Sequence, residues 1–261
     1  MASPHGPLCT LPFLTTHLRK LIHPNDTILV HSSLRSIGWI PGQAETVVAA
    51  ILDILTPQGT LVVPTHTGDN SDPAKWENPP VPESWWQDIR DTMPAYNPRT
   101  SKTRAMGAVA EMVRTWPGAL RSDHPQTSFA AVGARAEYIT SGHAYDCMMG
   151  EKSPLARLEE CGAKVLLLGV GFDVCTCFHL AEYRVSSKMG DNSFAAIVDG
   201  ERAWVTVEDV IVEGDDFGDM GREMEQEIPV TNGKVGAADC KAFSLPDAVK
   251  FAEKWITIHR N

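Results

Sequence analysis

A histidine and a glutamate three residues apart, His179 and Glu182, carry the sharpest chemical signal in this sequence. On a helix, side chains at i and i+3 lie on one face and meet. A carboxylate against an imidazole fixes the ring's orientation and stabilises the imidazolium. Such a pair is a general base tuned to work near neutral pH. The apolar run 164–168 precedes it and reads as a buried strand, followed by the glycine-bearing turn Gly169-Val170-Gly171. Ligands of α/β sheets sit beyond the carboxyl ends of the strands, which is where this turn falls. The plainer reading, a core histidine held by a local helix carboxylate, fits the same spacing equally well. A Glu-x-x-His metal site needs further carboxylates on neighbouring helices, and this strand-rich chain does not supply them. Cys177 is two residues from His179, and i, i+2 side chains diverge, which argues against a thiol nucleophile there.

Three further groups of residues could bind rather than react. His31, Ser32, Ser33, Leu34 and Arg35 follow an apolar run, where hydroxyls and backbone N–H groups can hold an amide or thioester carbonyl. A turn of small polar residues is the plainer account. Arg99, Lys102, Arg104, Arg121 and His124 concentrate positive charge around Met106, Ser122 and Ser128, and could pair with phosphates. A solvated basic face is the alternative. Carboxylates such as Asp69, Asp146 and Asp215 could line a cleft for a polycation. No P-loop and no Gly-x-Gly-x-x-Gly is present, so nucleoside triphosphates and dinucleotides have no motif here.

Alternating strands and helices must position these groups. The runs 27–31 and 60–64 read as strands buried on both faces, joined by a helix over 44–55. This strand–helix–strand unit predicts an α/β fold with a mixed sheet flanked by helices. Residues 66–101 contain many prolines, with Trp76, Trp85, Trp86 and Tyr96, and few regular elements fit. A long irregular stretch inside a domain is usually functional or disordered, and the tryptophans favour an ordered active-site loop region. Further helices are expected over 105–115, 154–160, from 176, over 215–225 and over 245–258, with a strand at 129–132. Asp199-Gly200 predicts a type I′ hairpin between 195–198 and 203–207.

Composition narrows the function classes. The chain has 261 residues, with 23 Lys+Arg against 33 Asp+Glu, a formal charge of −10. This length buries a large core without staples, and a single domain over 1–261 is expected. The acidic balance argues against nucleic acid as a partner and fits a small cationic amine. No run of about 18 apolar residues suggests a membrane span. The start, 1–9, has no leader pattern, so a cytoplasmic protein with reduced cysteines is expected. The spacing of the cysteines supports no zinc site, and no catalytic metal is expected.

In order along the chain, these segments resemble the aminoglycoside 3-N-acetyltransferase family. They are His-Ser-Ser-Leu-Arg-Ser-Ile-Gly (31–38), Gly-Thr-Leu-Val-Val-Pro-Thr (59–65), Met-Gly-Ala-Val-Ala-Glu (106–111), the run 117–133, the run 150–158, and His-Leu-Ala-Glu (179–182). The resemblance spans roughly residues 13–258, and the ordered set, not any one motif, carries it. Gln43 departs from it, since a second glycine often follows Gly42 in the family.

The resemblance implies a family-specific α/β fold and acetyl transfer from acetyl-coenzyme A (acetyl-CoA) to an amine. By analogy His179 is the general base and Glu182 orients it, with direct attack and no acyl-enzyme. Thr176 is the candidate hydroxyl for the oxyanion. His31, Ser32, Ser33, Leu34, Arg35, Met106, Arg121, Ser122, His124 and Ser128 would hold the cofactor. Asp69, Tyr96, Asp146 and Asp215 would meet an aminoglycoside or similar cationic aminosugar. An acyltransferase for a different, non-antibiotic amine, and a silent binder of coenzyme A or a cation, remain open. A homodimer is among the expected assemblies.

Overall fold

Burial on both faces decides which apolar runs become the middle of a sheet. The computed structural model describes residues 6–260. Residues 1–5 of the leader reading, and the two ends of the expected domain span, lie outside the described residues. Helix α1 (Leu11–Leu18) precedes strand β1 (Thr27–Ser32), the short helix α2 (Leu34–Ile37) and α3 (Gln43–Leu55). Strand β2 (Thr60–Pro64) leads into a long segment containing α4 (Trp86–Thr92). Then follow α5 (Gly107–Arg114), β3 (Leu120–Arg121), β4 (Phe129–Gly133), α6 (Ala136–Thr140), α7 (Pro154–Glu160) and β5 (Lys164–Leu168). The chain continues through α8 (Phe178–Val185), β6 (Met189–Val198), β7 (Glu201–Val210), α9 (Phe217–Glu227), β8 (Val230–Val235), β9 (Ala238–Ser244) and α10 (Leu245–His259).

The main sheet runs β3-β4-β2-β1-β5-β9-β8. Its centre, β2-β1-β5, is parallel. Antiparallel β4 and β9 flank that centre, so the sheet is mixed, as expected. Side chains alternate across it with the period of two that strands impose. Ile28, Val30, Leu61, Val63, Leu166 and Leu168 pack on one face, with α1, α3 and α5. Leu29, Val62, Val165 and Leu167 pack on the other, with α6 to α10. Each fully buried Val, Leu or Ile of these strands stabilises the fold by roughly 1.5–3 kcal/mol.

Three expectations change. The hairpin is longer than 195–207, with ten residues in each of β6 and β7. Its turn is as read, with Asp199 at φ 51° and Gly200 at φ 85°. The β8–β9 hairpin and α1 were not expected at all. Gly218 and Gly221 do not break α9. Gly221 instead lets the helix lie on Phe172, whose side chain would come within 2.1 Å of a Cβ there.

The 66–101 segment is held by ties to the β6–β7 hairpin more than by its tryptophans. The Asn70 side chain donates to the Ala195 carbonyl at 2.8 Å and accepts from its N–H at 2.8 Å. Arg202 donates to the Met93 carbonyl at 3.1 Å, while Trp85 is exposed.

Candidate active site

The three parallel strands all end at one cavity of about 290 Å³. Strand β1 contributes His31 and Ser32, and the exit of β2 contributes Pro64 and His66. The turn after β5 brings Val170, Asp173 and Thr176, and the first turn of α8 brings His179. Met106 and Ala110 close the cavity from α5, and Gly214 and Phe217 from the approach to α9. This convergence depends on Gly169. It sits at φ 70°, and a Cβ there would fall 1.9 Å from Ser36 Oγ. The Ser36 hydroxyl, set to donate to the Ser33 carbonyl at 2.7 Å and the Gly169 carbonyl at 3.1 Å, brackets the β1 and β5 ends.

His179 and Glu182 meet as their spacing requires, with Nδ1 and Oε2 2.5 Å apart. With Nδ1–H donating to the carboxylate, Nε2 is the nitrogen left to take a proton. Glu182 is almost wholly buried, a costly place for a lone charge. Its other oxygen accepts from the Glu213 N–H at 2.9 Å and from the Arg260 guanidinium. The His179 ring also packs against Phe217, centroids 4.8 Å apart. This environment is more than a local helix pair, because the buried carboxylate is also held by the Glu213 N–H and by the Arg260 guanidinium from just past α10.

Two cavity histidines behave differently. Nε2 of His31 and of His66 is buried without a hydrogen-bond partner. Burial, and secondarily the nearby His179, lowers the His31 pKa to about 4. Burial first, then the neighbouring His179 and His31, lowers that of His66 to about 3. Both rings are therefore neutral at pH 7. His66 escaped the sequence reading because it lies in the proline-rich stretch. Its only signal was its place just past a buried strand.

The remaining expected site residues separate into several environments. Thr176, His31, Ser32 and Met106 line the cavity. Leu34 and Arg35 line a neighbouring groove of about 1000 Å³, together with Trp39, Gln43, Glu111 and Met112. Ser33 lies between the two, its N–H donating to the Leu168 carbonyl at 3.0 Å. Segments 32–35 and 105–112 thus wall both spaces.

Arg121, Ser122, His124 and Ser128, read with them as cofactor contacts, line neither space. Arg121 donates to the carbonyls of Thr65 at 2.7 Å and Ser101 at 2.5 Å, and to Ser128 Oγ at 3.0 Å. Burial chiefly pulls its pKa down to about 10. Ser122 Oγ meets His143 Nδ1 at 3.0 Å, and His124 Nδ1 accepts from the Gln126 and Thr127 N–H groups. This cluster is an internal brace whose donors are already taken.

The expected acceptor contacts also divide. Tyr96 is buried, its hydroxyl donating to the Ser122 carbonyl at 2.8 Å. Asp69 pairs with Arg104 at a separate cavity of about 530 Å³ that Trp76 and Glu77 share. Asp146 pairs with Lys152 at 3.7 Å. Asp215 is exposed, one residue from the cavity-lining Gly214.

Residues 29–257 match the family profile described as Aminoglycoside 3-N-acetyltransferase. The SPbeta prophage-derived aminoglycoside N(3′)-acetyltransferase-like protein YokD of Bacillus subtilis is 46% identical over 245 residues, covering 93% of this chain and 90% of YokD. The crystal structure of YokD superposes with a TM-score of 0.95 at 41% identity, covering 100% of this chain and 96% of that one. A solved structure of AAC-IIIb, described as its binary complex with CoASH, superposes with a TM-score of 0.84 at 28% identity, covering 96% of this chain and 97% of that one.

Proposed function

This chain belongs to the aminoglycoside 3-N-acetyltransferase family, and is thereby an acyltransferase; from that premise we propose that it moves acetyl from acetyl-CoA to an amine of an aminoglycoside or similar cationic aminosugar, with His179 as general base. The observation that carries this reading is the His179–Glu182 pair set into the cavity where the parallel strands end.

The groove beside the cavity suits coenzyme A. It is largely apolar, and Arg35 stands exposed on its rim without an ion pair among the described residues. The first turn of α5 lies against it without a side-chain cap, leaving backbone N–H groups for an acceptor. When bound, the cofactor supplies an activated thioester. Ser32 and Met106 stand where its acyl end would meet the cavity.

His179 Nε2 takes the proton that an ammonium acceptor must lose before it can attack. Glu182 stabilises the imidazolium that forms. The amine nitrogen bonds to the acetyl carbon, the C–S bond breaks, and the thiolate is reprotonated. Thr176, on the cavity wall, would donate its hydroxyl to the oxyanion or the departing sulfur. The attack is direct, without an acyl-enzyme, and the cysteines nearest the base, Cys175 and Cys177, are fully buried and outside the cavity lining.

A second acceptor class has a specific observation behind it. Asp69 and Asp146, two carboxylates expected to meet a polycation, each have a cation of their own. A simpler amine would need neither.

The test is thiol release from acetyl-CoA with gentamicin, kanamycin and a set of simple amines, beside a His179→Ala control. Release with an antibiotic that the control abolishes supports both reaction and base. Release only with another amine keeps the chemistry and discards the aminoglycoside. Cofactor binding with no release across the panel favours a silent binder.

A further inference from the structure

We propose that Arg260 is a positioning residue of the catalytic base, holding Glu182 ionised and setting the pH at which His179 can accept a proton. The proposal rests on the general-base reading above.

Arg260 follows α10, 78 residues from Glu182 in sequence, and nothing in its surroundings along the chain marks it. Its side chain is only 15% exposed. It is fixed from three directions. Nη1 donates to Glu182 Oε1, Nε to Asp216 Oδ2 at 2.7 Å, and Nη2 to the Glu213 carbonyl at 2.7 Å and to Asp216 Oδ1. Its guanidinium carbon lies 5.9 Å from the Phe217 ring centroid. One side chain therefore joins the carboxylate behind the base to the loop whose Gly214 and Phe217 form the cavity wall. Behind it lies a space of about 70 Å³ bounded by Glu182, Lys188 and Ile211.

Burial disfavours the Arg260 charge, but its bonds to Asp216 and Glu182 outweigh this and hold its pKa above the usual guanidinium value. Glu182 thus faces a permanent cation. With that cation in place, the carboxylate is satisfied by charge as well as by hydrogen bonds, and His179 need not be protonated to balance it. Remove the cation, and the pair holds a proton to higher pH. It sits on the ring if Glu182 remains ionised, or on the carboxylate if it does not. Either way the base form is depleted at neutral pH.

The other groups facing the dyad are accounted for. From the loop before α9 come Glu213, paired with Lys188 at 3.0 Å, and Asp216, already on Arg260. From the turn after β5 comes Asp173, on the cavity wall. From the strand ends come the neutral rings of His31 and His66. Of the cations among these groups, Arg260 alone touches Glu182.

The test is the pH profile of kcat and kcat/KM for the full chain with acetyl-CoA and its best amine. The wild type and His179→Ala are run first, then Arg260→Gln, Arg260→Lys and Asp216→Asn. In Arg260→Gln, turnover at pH 7 should fall about tenfold and the ascending limb should move up by about one unit, with activity returning near pH 9. Arg260→Lys should restore most of the limb. The KM for acetyl-CoA should change less than about threefold in both. Asp216→Asn leaves Arg260 to Glu182 alone and should move the limb the other way, by about half a unit. This variant decides the matter if Arg260→Gln does not fold. A His179-dependent limb that stays in place in Arg260→Gln, or in Asp216→Asn, overturns the proposal. So does equal behaviour of the Gln and Lys variants. Wild-type turnover in His179→Ala overturns the base reading itself, and the role of Arg260 with it.

Discussion

On the helix wall of the cavity, His179 has its Nδ1 on a buried carboxylate, and that carboxylate has two further donors. On the strand wall, His31 and His66 have Nε2 atoms with no partner at all. The same side chain, on opposite walls of one cavity, is treated in two ways. The helix wall sets a carboxylate against the ring, the arrangement the proposed base needs. The strand wall excludes the charge and so makes neutral, weakly polar surface. A cavity that must deprotonate an ammonium benefits from both, since a second cation would oppose the acceptor's approach.

The largest effect should come from breaking the helix wall. His179→Ala should lower turnover by at least about 10²-fold, with cofactor affinity nearly unchanged, as read by steady-state kinetics and titration of coenzyme A. A loss that appears in cofactor affinity instead would place His179 in binding.

The strand wall should reveal itself in acid. An unfolded chain protonates His31 and His66 near pH 6.5, whereas the folded chain does so only at about 4 and about 3. Stability from these rings is complete above about 6.5 and is lost as pH falls toward 4 and 3. The slope is up to about 1.4 kcal/mol per unit for each ring. Urea midpoints at pH 7 and pH 5 measure it, and His31→Gln should flatten it. An unaltered slope in that variant would assign acid sensitivity to other groups.

Arg104→Ala tests whether the outer carboxylates are held in reserve. Freed from its partner, Asp69 should lower the KM for polycationic amines two- to fivefold, the scale of one exposed ion pair, and leave monoamines unchanged. No change for any amine would remove Asp69 from the acceptor path.

The smallest effect belongs to a site on neither wall. Gln43 lies in the groove at φ 50°, a left-handed conformation that glycine adopts freely. Gln43→Gly should stabilise the protein by up to about 1 kcal/mol in thermal or urea unfolding.

The contrast between the walls also explains what the sequence could reveal. Strands β1, β2 and β5 were legible because a strand buried on both faces is a continuous apolar run. His179 and Glu182 were legible because their interaction is local, one helical turn apart. Strands β8 and β9 were not, since Gly233, Gly236 and interspersed charges break up the pattern in the edge strand and its neighbour. Arg260 was invisible for the opposite reason to His179, because its partner lies across the fold. Arg121 drew a phosphate reading because formal charge is legible and the carbonyls that occupy its donors are not. Asp215 and Asp146 illustrate the same limit for carboxylates, whose surroundings decide whether they are free.

The sheet order carries a consequence for how the molecule is made. Strand β1 gains one parallel neighbour soon after it emerges, in β2, but the other is β5. The bond from Ser36 to Gly169 that brackets these strand ends joins residues 133 apart. Pairings this distant close slowly, since the entropy of the intervening loop is lost before any contact forms. Until β5 docks, β1 presents a bare edge with the apolar run Ile28-Leu29-Val30 at its centre, which is a hazard for self-association during refolding. Recovered activity should therefore lag behind recovered secondary structure when the denatured chain is diluted into buffer, and the yield should fall as protein concentration rises.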